Sequence, residues 1–171
     1  NFNMLQNQDL WNRIEAFAFD KADAVLVFSD RLARENGWTK QFAQQAIHEY
    51  RRFIYLAATA KVPVTPSDIV DQVWHLHLTY TRSYWDDLCG RILGRPLHHE
   101  PTRGGSAEGA KFEDWYERTR DSYEKAFGEA PPIDLWPPSR VRFGEDLRHE
   151  RVNRARNRLA IEASLHFDKA G

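Results

Sequence analysis

Residues 65–89, TPSDIVDQVWHLHLTYTRSYWDDLC, constrain the fold more than any other stretch, because they join a helix-start signal to a sustained helical apolar pattern. Thr65 can serve as N-cap, and Pro66 stands in the first turn, where a missing N–H costs nothing. Asp68, three residues past Thr65, approximates a capping box. At about 100° per residue, Ile69, Val70, Val73, Trp74, Leu76, Tyr80, Tyr84, Trp85 and Leu88 share one broad arc. So wide an arc predicts a central helix covered on several sides, ending between Cys89 and Leu93. The opposite strip carries Asp68, Asp71, Gln72, His75, Thr79, Arg82, Ser83 and Asp86, while His77 falls inside the apolar arc.

Two histidines at i and i+2 of a straight helix point about 200° apart, so His75 and His77 cannot close on one ion unless the helix bulges or breaks. Asp71 and His75, four apart, share a face, where the carboxylate can join the imidazole on a metal or fix its tautomer. A histidine on an apolar face is more often a hydrogen-bonded core residue than a ligand, so a structural network of Asp71, His75 and His77 stands beside the metal reading. Cys89, His98 and His99 complete the donors within reach in sequence. Imidazole with carboxylate suits zinc or non-haem iron, and a thiolate favours zinc. Cys89 lies about 21 Å beyond His75 along an unbroken helix, which excludes those two from one ion on regular geometry. The site expected most specifically joins Asp71 and His75 to a loop imidazole from His98 or His99, with a position left open for water or substrate. Whether such a centre catalyses anything, and on what substrate, is left open by the sequence.

The run from Pro66 to Tyr80 with its Asp-x-x-Trp-His-x-His core, followed by Tyr84-Trp85, Cys89-Gly90 and Pro96-Leu97-His98-His99, resembles the bacterial glycine-rich domain-containing protein-like family. Glu49–Phe53, Pro131-Pro132 and Leu135-Trp136-Pro137 extend the likeness over most of the chain. The resemblance implies a helical fold and no particular reaction. The Gly-rich tail for which that family is named does not occur in these 171 residues.

Elsewhere, the spacing predicts an amphipathic helix over Gln8–Asp20, a small helix capped by Ser29-Asp30 and stopped at Gly37, and a long helix from Thr39 to about Ala60. Val62-Pro63-Val64 forces a short extended link, making that long helix and the central one antiparallel neighbours. The charges at His48, Glu49, Arg51 and Arg52 read as a solvated face. Lys111–Phe127 forms an aromatic-striped helix ending at Gly128, and Pro131–Pro138 an extended strap inserting Leu135 and Trp136. An Arg-bearing helix from Glu145 to about Phe167 is expected last, with self-association through it as one option.

These elements make an all-α, irregular helical bundle of about five or six helices. Its 171 residues suit a single domain over 4–171, with residues 1–3 before Met4 read as a cloning remnant. A net charge of −1 offers no global pull toward nucleic acid, and no apolar run reaches the roughly 20 residues of a membrane span. One cysteine permits no internal disulfide and fits a cytoplasmic setting. The partner is then a small molecule or a protein. The rival to a metal centre is a non-enzymatic interaction module in which the Asp/His network pins helices together.

Overall fold

The computed structural model describes residues 5–100 and 106–144, and every regular element among them is helical. In order these are α1 (Gln8–Glu15), α2 (Phe28–Asn36), α3 (Lys40–Thr59), α4 (Asp68–Thr79), a π-helix (Arg82–Leu93), α5 (Ser106–Phe127) and the short α6 (Ser139–Arg142). None of the described helices is long and apolar enough to cross a membrane. The Arg-bearing helix expected after Glu145, and the remnant before Met4, lie outside the described residues.

The hub is α3 rather than the central segment: it packs against α1, α2, α4 and α5. Thr39 caps it as expected, its hydroxyl accepting from Phe42 N at 3.1 Å. Tyr50 meets His77 and Phe53 meets Trp74, so numbers rise along α3 as they fall along α4 and the two run antiparallel. The charges on α3 are not a solvated face. Glu49 is 3% exposed and accepts from Trp136 Nε1 at 3.0 Å; Arg51 donates to the carbonyls of Ile14 and Phe17; Arg52 reaches Tyr123 and Glu129. Only His48 of that group is exposed. Buried charge of this kind is tolerated when each group is hydrogen-bonded.

Several boundaries differ from the sequence expectation. Helix α1 stops at Glu15 rather than Asp20, and Asp20 instead anchors the start of α2, accepting from Ser29 N at 2.7 Å and Ser29 Oγ at 2.5 Å. The cap of α4 is Ser67, which accepts from Val70 N at 3.1 Å, while the buried Thr65 donates its N–H to Thr119 Oγ1 across to α5. The strap is not extended throughout, since Leu135 and Trp136 both return N–H bonds to the Pro132 carbonyl. It still inserts Leu135 and Trp136, the latter fully buried among Phe53, Tyr116 and Tyr123.

The central segment is two helices. Tyr80, at φ −87° and ψ 67°, leaves the helical region and ends α4; the chain resumes as a π-helix and closes at Gly94, φ 69°. A π-helix bonds i to i+5 and turns less per residue than an α-helix, so the residues four and five on, here Leu88 and Cys89, flank the line of Tyr84. That is why Cys89 is buried one turn beyond Tyr84, whereas Trp85, placed on the apolar arc by α-helical spacing, is 38% exposed.

His77 lies at the α3–α4 seam with no exposed surface. Its Nδ1 meets the Tyr50 hydroxyl at 2.9 Å and its Nε2 the Ser83 hydroxyl at 3.0 Å, inside a cage that includes Phe17, Phe19 and Phe28. Burial first, and Arg51 second, lower its pKa from 6.5 to about 3. The unfolded chain therefore takes up a proton near pH 6.5 that the folded chain refuses until about pH 3, so this contribution is whole above pH 6.5 and is lost as pH falls. Urea unfolding should show stability falling by about 1.4 kcal/mol per pH unit between about pH 6 and 4 from this group alone. The His77→Gln variant should lack that increment; an unchanged slope would show that the imidazole titrates freely in the fold.

Candidate metal centre

Asp71 and His75 stand one turn apart on α4, with His75 Nε2 3.4 Å from Asp71 Oδ2. His99, from the segment after the π-helix, brings its Nε2 to 2.7 Å from the other carboxylate oxygen, Oδ1. The two imidazoles stack, centroids 4.7 Å apart and planes 27° apart, so both nitrogens converge on one carboxylate. One donor atom from each of the three residues lies within 4.8 Å of the others. The Asp71 and His99 side chains are 18% and 17% exposed, but His75 is 45% exposed, so the cluster is backed by protein on one side and open on the other.

The third member is held in place by contacts remote in sequence. Arg95 donates to the carbonyls of Ala57 and Ala58 at the end of α3, at 2.9 and 2.8 Å. Tyr84 donates to the Leu97 carbonyl and accepts from Trp74 Nε1 at 2.9 Å. Trp74 itself lies against the His99 ring, centroids 4.2 Å apart. The indole thus acts twice, stacking on the imidazole and bonding the phenol that tethers the backbone two residues before it. Tyr84 is fully buried, and burial pushes its phenol well above the usual range, so its hydroxyl keeps the proton it donates.

The other residues singled out from the sequence go elsewhere. His77 is bonded to Tyr50 and Ser83 in the core, pointing away from His75 as helical spacing requires. His98 is exposed, its ring 5.7 Å from that of Trp85. Cys89 is buried beside Tyr84 and the Leu97 backbone, and burial pushes its thiol up. Reading the sequence did not find Tyr84 and Arg95 as holders of the loop. The one signal for them was the Gly94-Arg95-Pro96 turn, which obliges the chain to reverse.

Three donors about 2.1 Å from one ion stand roughly 3.0–3.5 Å apart; His75 meets Asp71 Oδ2 at 3.4 Å, while His99, at 2.7 Å from Oδ1, would have to draw back from hydrogen-bond distance. Coordination would require each Nε2 to offer a lone pair, with its proton lost or moved to Nδ1.

No solved structure matches the chain. Glycine-rich domain-containing protein 1 of Arabidopsis thaliana is 30% identical over 92 residues, 51% of this chain and 11% of that protein. Glycine-rich domain-containing protein 2 of the same plant is 29% identical over 92 residues, 51% of this chain and 12% of that protein. The match thus spans about a tenth of the length of either plant relative. The UCP032817-like family model matches residues 12–112, a span that takes in the second half of α1, α2 to α4, the π-helix and all three clustered donors, and on that match the chain belongs to the UCP032817-like family.

Proposed function

We propose that Asp71, His75 and His99 bind one divalent transition metal, zinc or iron, in a centre with coordination positions left open. What supports this most directly is the convergence of two imidazoles from different elements on one carboxylate, with the His75 side of the cluster exposed to solvent. Two imidazoles and a carboxylate suit zinc with a bound water, or ferrous iron with several open positions. Such an ion supplies Lewis acidity and an activated water. The protein's part is to hold the donors, through the helix for Asp71 and His75 and through Trp74, Tyr84 and Arg95 for His99. A metal-dependent reaction follows naturally from open positions, its substrate being a small molecule. A cytoplasmic setting suits a chain with one cysteine, because nothing in it needs oxidising conditions.

One observation favours a second reading, in which the cluster is structural. Asp71 already accepts a hydrogen bond from His99 and lies 3.4 Å from His75 Nε2, which alone would pin segment 94–100 to α4.

Elemental analysis of protein purified without added metal separates the two. The metal reading expects about one equivalent of zinc or iron per chain, lost in Asp71→Asn and in His99→Ala, and retained in His98→Ala. Metal-free protein that gains no thermal stability from added zinc or ferrous iron, with a large stability loss in His75→Ala, would leave the structural network standing.

The tether makes a further prediction. Tyr84→Phe strands the Trp74 indole N–H and the Leu97 carbonyl, which should cost about 1–3 kcal/mol in chemical denaturation. It should also weaken metal affinity by about tenfold or more, as loss of an outer partner does. Unchanged affinity in the folded variant would show that His99 is placed without help from Tyr84.

A further inference from the structure

A second recess lies where residues 19–28 meet the junction of α4 with the π-helix. It is a groove of about 410 Å³. Phe19, Leu26, Phe28 and Tyr80 give it an apolar floor, and the Tyr80 hydroxyl is turned to Arg31. A volume in this range suits a small ligand. Lys21 and Arg82 stand at its edge, and among the described residues neither side chain has an ion-pair or hydrogen-bond partner. Asp23 also lines it, leaving a net charge of +1, which matches one anionic group better than a dianion.

The polar contact at the inner end follows from the hydrogen bonds of His77. His77 Nδ1 meets the Tyr50 hydroxyl and Nε2 the Ser83 hydroxyl, so in the tautomer that carries its proton on Nε2 the ring donates to Ser83 Oγ. In that tautomer the Ser83 hydroxyl, which lines the groove, can donate to an acceptor bound there. An apolar floor, two unpaired cations and one hydroxyl able to donate form a consistent set.

We propose that this groove binds a small amphipathic monoanion, an apolar body of medium-chain length carrying one carboxylate. The apolar part lies over Phe19 and Phe28, and the carboxylate meets Arg82 and Lys21 and accepts from Ser83. The inference does not depend on the metal reading, since no Asp71, His75 or His99 contact enters it.

The test is an NMR titration of the whole chain with octanoate, read from backbone amide shifts, beside 1-octanol and octyl phosphate. Saturable binding is expected with shifts centred on residues 19–28 and 80–83, weaker by about tenfold for 1-octanol and for the Lys21→Glu/Arg82→Glu double variant, whose substitutions are at exposed positions. Ser83→Ala should also weaken it, and the double variant guards against that change disturbing His77. No saturable binding, equal binding of 1-octanol, tighter binding of octyl phosphate, or an unaffected charge-reversed variant would each overturn the proposal.

Discussion

The seam between α3 and α4 is the constraint on which the remaining geometry depends. Phe53 against Trp74 and Tyr50 against His77 close it, and all four side chains are nearly or wholly withdrawn from water. Each large side chain buried there contributes roughly 1.5–3 kcal/mol of transfer free energy, so the seam outweighs any single surface ion pair in the molecule. Its register also fixes the outward face of α4. With Trp74 and His77 turned in, Asp71 and His75 turn out together, and the far edge of Trp74 is left for His99 to pack on.

The break at Tyr80 has a cause in the same seam. A buried imidazole needs both nitrogens satisfied, and α3 supplies one partner only, Tyr50. Ser83 supplies the other, yet on an unbroken helix it would stand about 9 Å along the axis from His77. Leaving the helix at Tyr80 and resuming in the wider π geometry returns Ser83 to within 3.0 Å. The wider turn also carries Cys89 inward and Trp85 outward, and orients Tyr84 between Trp74 and Leu97. The satisfaction of one core histidine and the tethering of the loop imidazole therefore share one backbone irregularity.

The local parts of this arrangement were legible in the sequence and the remote parts were not. Asp71 with His75 follows from i,i+4 spacing, and the opposed directions of His75 and His77 from 100° per residue; both hold in the structure. The antiparallel α3–α4 pair follows from the short proline-bearing link. Spacing alone could not choose between His98 and His99, because that choice is made by Arg95 reaching α3 and Tyr84 reaching Leu97. Glu49 read as a surface charge because its partner, Trp136, lies 87 residues away. Ser67 and Thr65 are equally good caps by type, and Thr65 is used instead to reach Thr119 on α5. The π-helix has no compositional signature, so the burial of Cys89 in place of Trp85 was beyond periodic reasoning.

What the cluster can hold depends on how little must move. Asp71 lies 2.7 Å from His99 Nε2 and 3.4 Å from His75 Nε2, so an ion bound among them would keep α4 and segment 94–100 joined through the same carboxylate. The main change would be protonic, since each Nε2 must offer its lone pair to an ion. The tether of Trp74, Tyr84 and Arg95 is built from groups that do not ligate, so it stays intact through that change and holds His99 against the pull of either state. The cluster is thus backed by protein at Asp71 and His99 and exposed at His75. Such exposure is what a metal centre with a further ligand would need and a closed structural site would lack.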